Sequence, residues 1–329
     1  MLRTEEIKRC AAEIGFSACG VAPAGALPEA RAEEWRRWLA EGCQAGMDYL
    51  ERNMEKRLDP RLLVEGAKTV VSLAVNYFSG EVDRALASRP DDLRLARYAY
   101  GTDYHDVVKA MLRRLMASLG LEEGRDGRVF VDTAPIDEKY WAQRCGLGWR
   151  GRHTQIILPG QGSFFVLGEL VLTETCDEYG DFCENRCGAC RKCVEACPTG
   201  ALRGDGTLDA RRCLSYLTIE HRGTLPAEAA GCLGHCFYGC DRCAEACPHN
   251  LHFAQDTSVE DFRPRQALLQ LQAADWFGLT REQYQLLFRK SAVKRAKWEG
   301  LKRNLEVVEQ GLAQHSLSQL MDSGAVPQE

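Results

Sequence analysis

Sixteen cysteines in 329 residues dominate the chemistry open to this chain, and seven of them fall into two spaced runs. The first, within CGACRKCVEACPTGA, is Cys187-x2-Cys190-x2-Cys193-x3-Cys197-Pro198. The second, within CDRCAEACPHN, is Cys240-x2-Cys243-x3-Cys247-Pro248. Three thiolates at this spacing sit on one tight loop and take three corners of a [4Fe–4S] cube, while the next cysteine crosses to a second cube. One cluster would then take Cys187, Cys190, Cys193 and Cys247. The other would take Cys197, Cys240, Cys243 and one of Cys213, Cys232 and Cys236, because Phe237 stands where a regular repeat carries its fourth thiol. Spacing alone leaves those three equal. A tetrahedral zinc site ordinarily uses two separated cysteine pairs, and a disulfide framework belongs to exported chains. One-electron transfer in a reducing compartment is the expected chemistry.

Eight ligands leave Cys10, Cys19, Cys43, Cys145, Cys176, Cys183 and two of the three candidates as small buried hydrophobes. Cys176, Cys183, Cys232 and Cys236 form the one alternative set for a separate metal. Hydrophobic residues make up 45% of the chain and charged residues 27%, as in an ordinary soluble globular protein. The net charge of −5 gives no global attraction for nucleic acid, so any such surface must be local. The N-terminal MLRTEEIKRCAAEIGFSACG carries acids and no signal-peptide core, and no apolar run approaches the ~20 residues that span a bilayer. A cytoplasmic monomer without membrane contact is expected.

The elements that must position these residues divide the chain into three. Residues 1–175 read as a mixed α/β domain, 176–255 as a ferredoxin-like two-cluster module, and 256–329 as a helical, polar segment. Helical periodicity covers Leu2–Ile14 and Glu29–Ala40, and AKTVVSLAVNY (Ala67–Tyr77) reads as a buried strand. Asp103 is placed to cap a helix whose apolar stripe is Val107, Val108, Met111, Leu112, Leu115 and Leu119. GRVFVDTAP gives a short strand ending at Asp132, and HTQIILP with SFFVLGELVLT reads as a hairpin around Gly160–Gly162. Paired strands among helices make the fold class α+β. Between Leu287 and Arg303 stand Arg289, Lys290, Lys294, Arg295, Lys297, Lys302 and Arg303 against the single acid Glu299, where a phosphate backbone would land.

A two-cluster carrier alone needs roughly 60 to 80 residues, so the upstream domain has other work. CGLGWRGRHTQ puts Gly146, Gly148 and Gly151 at G-x-G-x-x-G spacing, but before a strand, which is the wrong order for a dinucleotide site. Close backbone approach to a large planar ligand is the expected reason for those glycines. Asp132 is a catalytic acid only if burial lifts its pKa far enough to hold a proton near neutrality. A lone histidine such as His153 is ordinarily a structural residue.

Six blocks in order resemble the epoxyqueuosine reductase family over about residues 1–300: MDYLERNMEKRLDPRLLVEGAKTVVSLAVNY, ARYAYGTDYHDVVK, VDTAPIDEKYWAQRCGLGWRGRHT, CGACRKCVEACPTGAL, RRCLSYLTIEHRG and YGCDRCAEACPHN. The resemblance implies a cobalamin-dependent enzyme with two [4Fe–4S] clusters, fed by an external low-potential donor. Its substrate would be tRNA carrying epoxyqueuosine at the wobble position, reduced to queuosine in the last step of that modification. It also implies Cys213 as the remaining cluster ligand and Asp132 as proton donor. Cobalamin contacts are implied at Arg57, Tyr98, Asp132, His153, Gln155, Ile156 and Ser215, and a tRNA contact at Arg222, joined by Lys294 and Arg295 of the basic run. Many members continue into a helical-repeat extension. This chain looks like the shorter form, which would shift RNA binding onto SAVKRAKWEGLKRN. Cys232 and Cys236 are not expected from the family. Two other readings compete. A reductive dehalogenase typically carries a twin-arginine signal and lacks SYLTIE, and a bare electron-transfer module leaves the first 175 residues without work.

Overall fold

The computed structural model describes residues 1–322, with side chains through residue 314, so the last residues of the expected C-terminal segment lie outside the described residues. Four strands, β1 (Ala18–Pro23), β2 (Thr69–Asn76), β3 (Gly127–Phe130) and β4 (Phe165–Leu172), form an antiparallel sheet in the order β1-β2-β4-β3. The register runs Ala18↔Ala74, Thr69↔Leu172 and Phe130↔Glu169. The helices that position functional residues are α1 (Thr4–Ile14), α2 (Glu29–Ala40), α3 (Tyr104–Ser118), α4 (Glu138–Arg144), α5 (Leu214–Ile219) and α6 (Lys297–Asp322).

TVVSLAVN is apolar almost throughout because β2 is covered on both faces. Val71, Leu73 and Val75 pack under α1 and α3, while Val70 and Ala74 face Trp141 of α4, Ile156 and Leu158. The period-two alternation thus divides one apolar run between two cores. Asp103 caps α3 by accepting from the His105 amide at 3.1 Å, and Val107, Val108, Met111, Leu112 and Leu115 are buried as the stripe requires. The helix lies so close to β4 that a Cβ on Gly168 would come within 2.8 Å of Val108.

One expectation fails. Ile156–Ile157 pairs with Trp149–Arg150, not with SFFVLGELVLT. Both edges of β4 are taken, by β2 and by β3, so no hairpin with the preceding segment can form. The glycine-rich stretch makes close contacts within the chain. A Cβ on Gly148 would meet the Ile157 carbonyl oxygen at 2.1 Å, and one on Gly151 would meet the Ile157 side chain at 2.7 Å. Gly148 and Gly151 let the chain pack closely against Ile157.

In the cysteine module, two short helices (Lys192–Glu195, carrying Cys193, and Arg242–Glu245, carrying Cys243) pack together, each ahead of a Cys-Pro step. A separate core joins Phe237, Tyr238, Trp276, Tyr284, Phe288, Leu301 and Leu305 to Leu93, Leu95 and Tyr100. It therefore draws on all three segments of the chain. Asn304 of α6 is fully buried and donates to the carbonyls of Thr218 (2.8 Å) and Phe237 (2.9 Å). Asn250 joins the cysteine module to the first domain. Its Oδ1 accepts from the Ser163 amide at 2.6 Å, and its Nδ2 donates to Ser163 Oγ (2.9 Å) and the Ala244 carbonyl (2.8 Å).

Candidate active site

All sixteen cysteines are free thiols. Cys187, Cys190, Cys193 and Cys247 line a single cavity of about 60 Å3, bordered by His153 and His249. Among the described residues no three His, Cys, Asp or Glu side chains converge on a single-ion site. Four thiols around one small void match the number of ligands a [4Fe–4S] cube takes. In the second set, burial and the neighbouring Cys240, Cys213 and Cys197 push the Cys243 thiol well above its ordinary value. Cys213 also lies within electrostatic reach of Cys197.

Of the other two candidates, Cys236 also lies within electrostatic reach of Cys240, whereas Cys213 is in reach of Cys197, Cys240 and Cys243. Cys236 borders a cavity of about 230 Å3 lined by Arg94 and Arg242, and Cys232 Sγ lies 3.6 Å from the Pro198 carbonyl. Cys176 is in the core beneath α1 and Cys183 packs beside Trp149, so the alternative metal set does not converge.

Asp132 stands just beyond β3 with φ +49°, a left-handed conformation uncommon outside glycine. Its Oδ2 accepts from Tyr104 Oη at 2.7 Å and lies 2.9 Å from His105 Nε2. His105 Nδ1 is 2.8 Å from Asp103 Oδ1. Burial acts to raise the Asp132 pKa, but the hydrogen bonds from His105 and Tyr104 prevail and hold it below the usual carboxylate range. Burial alone therefore does not keep Asp132 protonated, and a proton on it has to come from a neighbouring group. Glu138 takes the opposite shift: burial and the Asp132 charge push it up to about 7. Its Oε2 accepts from the Asp132 amide at 3.3 Å. Two neighbouring carboxyls with divided pKa values form a proton-handling pair.

A cavity of about 290 Å3 adjoins Asp132, walled by Trp35, Arg57, Lys139 and Thr154 among others. Arg57 is buried with its guanidinium 5.1 Å over the Trp35 ring, and its Nε has no partner. Thr154 Oγ1 and His153 Nε2 are likewise buried and unpartnered. Lys139 makes no side-chain hydrogen bond among the described residues, and burial lowers its pKa. Buried polar groups are rarely left so, and a ligand rimmed with amides and phosphate would satisfy them.

The residues expected at cobalamin are only partly gathered here. Arg57 and Asp132 share the cavity, and Tyr98 stands edge-on to Tyr104 at 5.8 Å with its hydroxyl 3.4 Å from Tyr238 Oη. His153 borders the cysteine cavity, Gln155 is exposed, the Ile156 side chain is in the core, and Ser215 is half-buried in α5. Sequence reasoning missed Tyr104, His105, Glu138 and Lys139. The signal was present in GTDYHDVV and IDEKYW, where acids, a phenol and an imidazole crowd helix starts.

The basic stretch is largely engaged within the chain. Arg295 forks onto Glu220 at 2.7 and 2.9 Å, and Arg222 donates to the Arg295 carbonyl at 2.9 Å. Lys294 bonds Gln285 and lies over the Tyr284 ring. Arg303 donates to the carbonyls of Leu217, His221 and Gly223, so it is a structural clasp and not a free cation. Arg289, Lys290 and Lys297 remain exposed.

Comparison with known proteins bears on this arrangement. Residues 57–133 match the family model described as epoxyqueuosine reductase QueG, DUF1730, and residues 186–250 match the 4Fe-4S double cluster binding domain. An epoxyqueuosine reductase of Cyclobacterium marinum is 40% identical over 306 residues, covering 93% of this chain and 96% of that one. One of Leadbetterella byssophila is 42% identical over 308 residues, covering 93% and 98%. Among solved structures, epoxyqueuosine reductase from Streptococcus thermophilus superposes with a TM-score of 0.81 at 28% identity, covering 98% of this chain and 86% of that one. An epoxyqueuosine reductase with a tRNA-Tyr epoxyqueuosine-modified stem loop superposes with a TM-score of 0.79 at 27% identity, covering 92% and 80%.

Proposed function

The chain belongs to the epoxyqueuosine reductase family, and from that membership we infer that it reduces epoxyqueuosine in tRNA to queuosine, with Asp132 at the reacting oxygen. Turning an epoxide into an alkene consumes two electrons and two protons and releases water. When bound, the two [4Fe–4S] clusters and cobalamin supply those electrons at low potential.

Cys187, Cys190, Cys193 and Cys247 hold one cluster, and Cys197, Cys213, Cys240 and Cys243 hold the other. Four sulfurs around one void support the first set, and the mutual reach of Cys197, Cys213, Cys240 and Cys243 supports the second. Arg57, Lys139 and Thr154, with Tyr98, His153, Gln155, Ile156 and Ser215, hold cobalamin. Their unpartnered polar atoms suit its amide rim and phosphate.

Residues 1–175 form the catalytic domain, 176–255 carry electrons, and 256–329 contact tRNA through Lys294 and Arg295, alongside Arg222. The protein works as a cytoplasmic monomer served by an external low-potential donor. No helix among the described residues is long and apolar enough to cross a membrane.

One observation carries the reading: a carboxylate bonded by a phenol and an imidazole opens onto a cavity walled by unsatisfied Arg57 and Thr154. A bare electron carrier has no use for it. The test is an anaerobic assay of queuosine in tRNA with a strong reductant, with and without added cobalamin. Product that depends on cobalamin is expected, and Asp132→Asn should keep iron and cobalamin while losing roughly 10²-fold or more in turnover. Absence of product from fully loaded protein would overturn the reading.

A further inference from the structure

We propose that His105 is the proton reservoir of this site: Asp103 fixes its imidazole through Nδ1, and Nε2 passes the proton to Asp132 Oδ2. The inference rests on the reading of Asp132 as the group at the reacting oxygen. It makes His105 a positioning and supply residue, acting through Asp132 and not on the substrate itself.

The geometry fixes each part. The imidazole lies between two carboxylates at 2.8 and 2.9 Å and stacks on the Tyr104 ring with centroids 4.1 Å apart. Asp103 cannot swing away, because the same Oδ1 caps α3 and its amide is bonded to the Lys290 carbonyl at 2.9 Å. Asp132 carries both its side-chain bonds on Oδ2, so Oδ1 is left for substrate. The His105 side chain is 25% exposed and that of Asp132 50%, so solvent reaches the reservoir while the carboxyl faces the open side.

The steps balance without electron exchange. The Nε2–H bond breaks as Oδ2–H forms, leaving a neutral imidazole. A half-turn about the broad two-fold carboxyl torsion presents the loaded oxygen. Its O–H bond then breaks as the substrate oxygen takes the proton, which restores the carboxylate. Water reprotonates His105, and the second proton follows the same route.

The charged and titratable groups around the pair are Asp103 and Tyr104 at the start of α3, Glu138 and Lys139 of α4, Arg57 and Tyr49 from the segment before β2, Tyr98 ahead of α3, Glu169 of β4, and Tyr238. Burial opposes the charged imidazole, but the two carboxylates prevail and push His105 up to about 9. The relay is therefore loaded at neutral pH and empties as pH rises through about 9.

The test follows the isotope-labelled imidazole by NMR across pH in the holoprotein, alongside kcat–pH profiles. His105 should titrate near 9 in the parent and lower in both Asp132→Asn and Asp103→Asn. His105→Gln should keep iron, cobalamin and the thermal midpoint, lose roughly 10²-fold in kcat, and lack the parent's alkaline limb. Asp103→Asn, which retains the ring, should move that limb to lower pH, and this arm decides the matter if His105→Gln fails to fold. A parent imidazole titrating near the ordinary 6.5, or a limb unmoved in Asp103→Asn, overturns the proposal. If the parent makes no queuosine, the functional reading fails while the titration still decides whether the relay exists.

Discussion

The two cysteine sets share a motif but face different surroundings. Around Cys187 and Cys190 the neighbours Arg186, Gly188, Ala189 and Arg191 are exposed, and Leu251 and Phe253 on the helix after Cys247 also face water. The second set is more crowded by neighbouring groups, although Cys197, Cys213, Cys240 and Cys243 all stay partly exposed while Cys193 and Cys247 of the first set are buried. Burial pushes Cys240 up to about 12 and Cys243 well above its ordinary value, and Cys213 heads α5, against the aromatic core of Phe237 and Tyr238. A set with exposed neighbours suits electron entry, and one against the aromatic core suits delivery inward. With Cys213 as its proposed fourth ligand, that set would borrow a thiol from outside the repeat, and filling it would be linked to consolidating the C-terminal core.

The sharpest way to break this contrast is Cys213→Ala. It should retain about half the parent's iron and lose turnover, while Cys232→Ala and Cys236→Ala keep both. Iron analysis reads the outcome, and deficient iron in Cys236→Ala would put that thiol in the crowded set instead. Next in size, a chelator added to the loaded protein should remove iron in two phases, the faster about half of the total. A single phase followed by absorbance would erase the distinction between the sets. Arg303→Ala should destabilise the crowded side alone, by about 2 kcal/mol for the lost charged hydrogen bonds, seen as a lower denaturation midpoint and faster loss of the slow-phase iron. The smallest effect is expected at Lys294 and Arg295. Because Arg295 already pairs with Glu220, neutralising both should weaken tRNA binding only a few-fold, with a shallower salt slope by about 1 to 2. An unchanged slope would make this face plain solvent-exposed surface.

Local patterns were legible in the sequence: β2 from its apolar run, α3 from its cap and stripe, and a double-cluster domain from the spacing of its cysteines. What escaped depended on packing across the chain. The hairpin expected around Gly160–Gly162 fails because β4 has partners far upstream, at Thr69–Asn76 and Gly127–Phe130, on either edge. Gly148 and Gly151 of CGLGWRGR serve Ile157, a neighbour no periodicity reveals, while Gly146 faces the Asp181 carbonyl. The ionisation of Asp132 could not be read from VDTAP, because His105 decides it from a different element. Asp103 was visible only as a helix cap, yet the same oxygen that caps α3 also holds the imidazole.

Asn250 has a mechanical consequence. Its amide is bolted through three hydrogen bonds to Ser163 in the first domain and to Ala244 beside Cys243 and Cys247. The cysteine module and the sheet are therefore pinned to each other at a buried point, and any rotation of one against the other would have to break these bonds.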